Sequence, residues 1–296
     1  MTTLKNLGGL SSSALLVSLN VSAWSAVKVD KSLSHDVEIQ HNMGADSGRY
    51  SKNLLAKGAL ERITKTAGML RTYWREQTLP WLDGGVRILP AANYTNFKDG
   101  ITRLLDDYES AVQILCQDFE SEKDKARIRL NGTFRESDYP TDIKEKFGAE
   151  VRYLPLPDSS DFRVEVSIRE REILQAQIAE SLALASKQAM ADLWSRLATT
   201  VKAMASKLAE YHVEMVNGKE KVKNPFRDSL VSNLQTVCDM IPALDFSKSP
   251  DLERVRQDVI QTLLSCSAVD LRDDATLRAD VVKRAEKIAA DISEFM

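Results

Sequence analysis

From Ser167 to about Val216 the chain sets an apolar residue at gaps of three and four: Leu174, Ile178, Leu182, Ala185, Ala189, Leu193, Leu197, Val201, Met204, Leu208 and Tyr211. That spacing averages close to the α-helical repeat, so the stretch predicts one long amphipathic helix. Ser167 and Glu170 mark its start as a capping box, in which hydroxyl and carboxylate oxygens each accept a backbone N–H that the first turn leaves unbonded. Gly218 marks its end. Some fifty helical residues reach about 75 Å, so part of the helix is expected to project or to serve as a spine for other helices.

A second stripe, Phe97, Ile101, Leu104, Tyr108, Val112, Leu115 and Phe119, predicts a helix from Asn96 to about Asn131. Its far end, "ESEKDKARIRL", alternates in charge and suits a solvated face. Between the two long helices, "AEVRYLPLPDSSDFRVEV" alternates in the manner of strands over Glu150 to Leu154 and Phe162 to Val166, joined by a turn rich in Pro, Asp and Ser. A helix running out, a hairpin and a helix running back predict an antiparallel helical arm with a β-hairpin insert over 150–166.

Near the N-terminus, Val17, Leu19, Val21 and Ala23 alternate with Ser18, Asn20 and Ser22. Polar residues at every second position break the apolar run that an export signal requires and fit a half-buried strand. A shorter helix is expected from Asn53 to Thr78, halted by Pro80. Three more are expected to close the chain, opened by Asn224-Pro225, Ser249-Pro250 and Asp273-Asp274. A lysine loop at 219–223 precedes them. The fold class predicted is mostly α with a small antiparallel β element, a long antiparallel helical hairpin plus shorter helices, in three regions: 1–94, 95–217 and 218–296.

Composition supports this picture: 43% hydrophobic and 28% charged residues, with 8 prolines and 12 glycines among 296, favour long regular elements. A net charge of -3 supplies no global field to draw nucleic acid or anionic lipid. No apolar run approaches the roughly 18 residues of a membrane span. The three cysteines are odd in number, widely spaced and free of any C-x-x-C pattern, which fits a reducing compartment and buried thiols.

Local motifs for catalysis are missing. His35 and His41 are six apart, a spacing that does not set both rings on one helical face, and His212 has no local partner. "GADSGRYSK" has the wrong order for a phosphate-binding loop. Adjacent carboxylates at Asp106-Asp107 and Asp273-Asp274 point roughly 100° apart on a helix. The sequence therefore predicts no catalytic, cofactor or metal residues and no enzyme.

Candidates for partner contact are the corner "LPWLDGGVRILPAANY", with Trp81, Asp83, Arg87 and Tyr94, and the turn carrying Asp158 and Asp161. Aromatic anchors beside a positioned charge are typical of interface hot spots. The competing reading of the first stretch is a structural corner, with Trp81 capping the core and Arg87 paired with a nearby acid. Lys219, Lys221 and Lys223 are the alternative, a contact for nucleic-acid phosphates, although Glu220 interrupts them and no aromatic platform accompanies them.

Taken together, "NVSAWSAVKVDK", "TLPWLDGGVRILPAANY", "EVRYLPLPDSSDFRVEV" and "FRDSLVSNL" resemble an uncharacterised family of proteins carried by bacteriophages and integrative elements. The resemblance implies a host-cytoplasmic, phage or mobile-element setting, and some similar proteins are encoded beside AAA+ ATPases or recombination genes. It brings no activity to any residue. The expectation is an accessory protein that acts by self-association or by binding a host or phage complex, counter-defence included, with replication or recombination on nucleic acid as the alternative.

Overall fold

A computed structural model describes residues 13–82, 84–158, 167–216 and 219–296, except for the side chains of Lys219 and Glu220. Asp83, Asp161 and the expected strand Phe162 to Val166 lie outside the described residues. The architecture is mostly α with a small antiparallel β element. The chain divides into two compact units that do not follow the sequential regions 1–94, 95–217 and 218–296. The first takes residues up to 18, then 76–95 and 153–296; the second takes 19–75 and 96–152.

In the first unit, β1 (Ala14–Ser22) pairs antiparallel with β5 (Arg87–Pro90) in the register Ala14 to Pro90 and Val17 to Arg87. The short β4 (Leu79–Pro80) pairs with β5 on its other side, and β6 (Gly148–Pro155) completes the order β4-β5-β1-β6. Strands β1 and β6 assign their residues 14–18 and 153–155 to this unit. Helix α4 (Ile168–Glu210) is its spine. Its cap is as the sequence predicts: the Glu170 N–H donates to Ser167 Oγ, and the Ser167 N–H donates to Glu170 Oε2 at 3.1 Å.

Packed along α4 are α5 (Ser229–Leu244) and α8 (Ala275–Ser293), with α6 (Pro250–Thr262) and α7 (Ala268–Asp273) joining them. The core runs through Leu182, Leu193, Leu197, Val201, Met204 and Leu208 of α4 against Leu234, Ile241, Val281 and Ile288. Ser249 caps α6 ahead of Pro250, and Asp274 caps α8 through the Thr276 and Leu277 N–H groups, both as expected. Asn224-Pro225 opens no helix; Asn224 sits at φ 49°, and α5 begins only at Ser229.

Helix α4 also stops earlier than its periodicity suggests. It ends at Glu210, and β7 (His212–Val216) pairs with β8 (Lys219–Lys223) as a separate antiparallel ribbon, so the lysines expected in a loop lie on a strand. The physical reason is in the residues: His-Val-Glu-Met-Val alternates at period two, and β-branched side chains there favour a strand once the stripe's buried face has ended.

The second unit contains α1 (Lys31–Gln40), α2 (Glu61–Glu76) and α3 (Tyr94–Leu130), the last entering it at Asn96. Thus the two long helices α3 and α4 belong mainly to different units, and α4 takes α5 and α8 as neighbours. Residues 53–60, expected at the start of α2, instead finish β3 (Ser51–Asn53) and form a 3₁₀ turn over Lys57–Leu60. Strand β3 pairs with β2 (Val27–Val29). Tyr73 on α2 stacks on Phe97 of α3 at 6.1 Å and donates its hydroxyl to the Asn96 carbonyl at 2.8 Å. Tyr108 donates to the Ser22 carbonyl at 2.6 Å, tying α3 to the end of β1.

A buried ion cluster anchors the β2–β3 ribbon. Lys52 Nζ meets Asp30 Oδ2 at 3.1 Å, Asp138 Oδ2 at 2.7 Å and the Thr133 carbonyl at 2.8 Å, while Lys28 reaches Asp138 at 2.8 Å. Asp30 also caps α1 by accepting the Leu33 N–H. That backbone bond, then the Lys52 ammonium, holds the Asp30 carboxyl below its ordinary range. Burial opposes the charged form of Asp138, and the bonds from Lys28 and Lys52 outweigh it, leaving this carboxyl depressed too. For Lys52, burial is likewise outweighed, by Asp138 and Asp30, and its pKa is raised.

Candidate protein-contact groove

Of the surfaces nominated by the sequence, the corner after β4 is the one the fold builds into a concavity. The backbone from Glu76 to Thr78 is held by side chains from three directions. Arg87 donates from Nε to Thr78 Oγ1 at 2.8 Å and from its terminal nitrogen to the Thr78 carbonyl at 3.1 Å. Arg196 of α4 donates to the carbonyls of Glu76 and Thr78 at 2.6 and 2.7 Å. Asn93 donates to the Gln77 carbonyl at 2.8 Å. Thr78 is fully buried, so the charge-assisted bonds from Arg87 and Arg196 satisfy a backbone oxygen that water does not reach.

Arg87 is therefore a structural clamp on Thr78 and does not line the concavity. Tyr94, at the first position of α3, lies edge-on to Tyr153 of β6 with ring centres 5.8 Å apart, also away from it. Burial pushes the Tyr153 hydroxyl up, with Tyr94 adding to the shift.

The clamp fixes the position of the next two side chains along the corner. Trp81 rests half-buried against the core of the first unit, and Leu82 beside it is exposed. Opposite them stand Leu174, Gln177, Ile178, Ser181 and Leu182 on α4, and Pro157 beyond β6 completes a groove of about 290 Å³. Asp158 comes directly after Pro157, on the exposed surface. The lining is apolar except for Gln177 and Ser181.

The N-terminal turns of α4 extend this surface. Core burial on α4 begins at Leu182; before it, Ile168, Ile173 and Leu174 are exposed, Ile168 to 78%. Of the predicted residues, the fold brings Trp81 to the groove with Asp158 adjoining it, and places Arg87 and Tyr94 in supporting roles. Sequence reasoning missed Leu82, Pro157, Leu174 and Ile178 as residues lining the groove. Leu174 and Ile178 belong to the same stripe as the core of α4, and the stripe alone does not tell which turns are covered.

The alternative lysines occupy the β7–β8 ribbon. Lys223 Nζ lies 3.6 Å from Glu214, Lys221 stands opposite Glu214 in the register, and His212 Nε2 is 3.1 Å from the same carboxylate. Glu214 thus offsets much of the positive charge of this strand. Lys219 takes the first position of β8, opposite Val216. Among the described residues, no three His, Cys, Asp or Glu side chains are grouped so as to hold a metal ion, and no helix is long and apolar enough to cross a membrane.

Comparison with protein-family models, with curated proteins and with solved structures gives no match to this chain.

Proposed function

We propose that this chain is a non-enzymatic assembly protein that holds a protein partner through the groove between Trp81 and the N-terminal half of α4. The observation that carries the reading is an apolar concavity flanked by large exposed apolar side chains, Leu82 and Leu174. Contiguous apolar surface of this kind gains free energy by being covered, at roughly 25 cal/mol per Å² removed from water. The flanking Arg87, Asn93 and Arg196 bonds hold the Trp81 corner in one conformation, which lowers the ordering cost of binding. The resemblance of its N-terminal strand, Trp81 corner and β6 segments to phage and integrative-element proteins supports a setting in the host cytoplasm, in which the partner is a host or phage complex, a defence complex included.

The test is affinity capture from infected-cell lysate with the chain and with its Leu82→Glu/Leu174→Glu variant, followed by mass spectrometry. Both positions are exposed, so the variant keeps its core. Proteins retained by the native chain and absent from the variant support the groove; identical capture by both refutes it. The alternation of lysine along β8 favours a second reading, contact with nucleic acid. Electrophoretic shifts at two salt concentrations decide that reading, because phosphate contacts weaken steeply as salt rises.

A further inference from the structure

The β7–β8 ribbon comes directly after the spine helix of the first unit, and every described side chain in it is exposed. Among the described residues it forms a sheet of two strands, so each strand presents an edge that no other described strand pairs with. Its two faces differ. The register sets Val213 opposite Val222 and Met215 opposite Glu220 on one face; the other carries His212 opposite Lys223, Glu214 opposite Lys221 and Val216 opposite Lys219. Val213, Met215 and Val222 are 46, 67 and 43% exposed. An isolated two-stranded ribbon is marginal in water, whereas three or more strands with an apolar face are stable. Further strands on its edges would therefore stabilise the ribbon.

The charges decide which edge can be extended, and by what. Pairing β8 with another β8 sets lysine opposite lysine in every antiparallel register that keeps the apolar residues on one face, and lysine on an edge is a recurrent device against such pairing. The β7 edge carries no such block. If two β7 strands pair antiparallel about Glu214, the two glutamates oppose each other. If they pair about Val213, each His212 faces the Glu214 of the other strand, and Val213 faces Val213.

That second register joins the apolar faces into one row, Val222, Val213, Val213, Val222, and sets each Glu214 against a histidine it suits. The strand is complementary to itself, which is the property a two-fold interface needs. Resting on the assembly reading and naming a partner for it, we propose that two copies of this chain join edge to edge through β7, forming a four-stranded antiparallel sheet in the order β8-β7-β7-β8. Main-chain hydrogen bonds supply the affinity, as in other strand additions. In that register only His212 to Glu214 of each strand pair, so the surface covered is small and the dimer is a weak one that forms and dissociates with concentration.

Sedimentation velocity of the purified chain from low to high micromolar concentration measures this directly, with three variants beside it. Val213→Lys places two lysines face to face across the two-fold axis and is expected to weaken the dimer by about tenfold or more. Lys221→Gln, on the strand away from the new interface, leaves it unchanged, and so does Leu82→Glu/Leu174→Glu in the groove. Hydrogen exchange on the native chain provides a readout that mutation cannot confuse. The alternate β7 amides that point away from β8 become protected as concentration rises.

A native chain that stays monomeric throughout overturns the proposal and leaves the groove's capture of a foreign partner standing. A dimer that survives Val213→Lys and is lost in the groove variant overturns it in favour of self-association through the groove. A monomer that shifts an oligonucleotide, with the shift lost in Lys221→Gln, overturns it in favour of nucleic acid.

Discussion

Replacing Gly100 of α3 with alanine should destabilise the protein, although the same change in an ordinary helix interior stabilises by roughly 1 kcal/mol. The cause is Tyr73. A Cβ built on Gly100 lies 2.0 Å from Tyr73 Oη, 2.3 Å from its Cζ and 2.9 Å from its Cε1, all far inside van der Waals contact. The ring has to leave its place. In leaving, it gives up the hydrogen bond to the Asn96 carbonyl, worth about 1 kcal/mol. It also gives up the stacked contact with Phe97, worth about 0.5–1.5 kcal/mol.

Added to these is the strain of an overfilled site, about 1–3 kcal/mol. Against the helix-propensity gain, the net expectation is a loss of about 2–4 kcal/mol. In a Tyr73→Ala background the clash is gone, and Gly100→Ala should stabilise by up to about 1 kcal/mol. The sign of the effect therefore reverses. Urea denaturation followed by circular dichroism on the four proteins of this double-mutant cycle measures the coupling, expected at about 3 kcal/mol or more. A Gly100→Ala protein as stable as the native one, or equal effects in both backgrounds, would refute the account of why α3 carries a glycine there.

Lys52→Met leaves Asp30 and Asp138 facing each other without their shared cation and should cost about 3 kcal/mol, read as a lower melting temperature. In the native chain both depressed carboxylates stabilise the fold above 3.8 and lose that contribution as pH falls through their lowered values. Raised Lys52 contributes fully below 10.5 and loses it as pH rises through its folded value, so melting curves should show a plateau between those limits that Lys52→Met flattens. Burial pushes the Cys238 thiol up to about 11, so a thiol reagent at about pH 8 should modify half-buried Cys116 and Cys266 well before it; rapid labelling of Cys238 would contradict its placement. Ser167→Ala removes the cap of α4 and should cost about 1 kcal/mol, with faster hydrogen exchange confined to the first turns and a core that melts as before.

Features set by neighbouring residues are legible in the sequence. The capping box of α4, the Ser249-Pro250 start of α6, the Asp274 cap and the alternation of β1 all depend on residues within one turn or one strand of each other. The strand over 150–154 falls within β6 for the same reason. The features that escape are set by competition. Gly218, which reads as the stop of a long helix, lies outside the described residues, and the alternating runs on either side, His212–Val216 and Lys219–Lys223, pair as strands. Asn224-Pro225 has the form of a helix start, but Asn224 adopts a left-handed conformation instead.

The groove is half legible. Trp81 stands out as an aromatic in a corner, whereas Leu174 and Ile178 are distinguished from core residues only by what α5 and α8 leave uncovered. The Lys52 cluster joins Asp30, Lys52 and Asp138 across more than a hundred residues, and no local pattern announces it.

Both compact units are stitched from separated lengths of chain, and the polypeptide passes between them at 18, 75, 95 and 152. During translation, β1 must therefore wait for α4 and then for α8 before its unit can close. Such late closure raises the share of sequence-distant contacts and slows folding. A cut anywhere between residues 95 and 153 separates the strand from its spine, so fragments trimmed at sequence-like borders should come out of the cell as aggregates, while the uncut polypeptide folds.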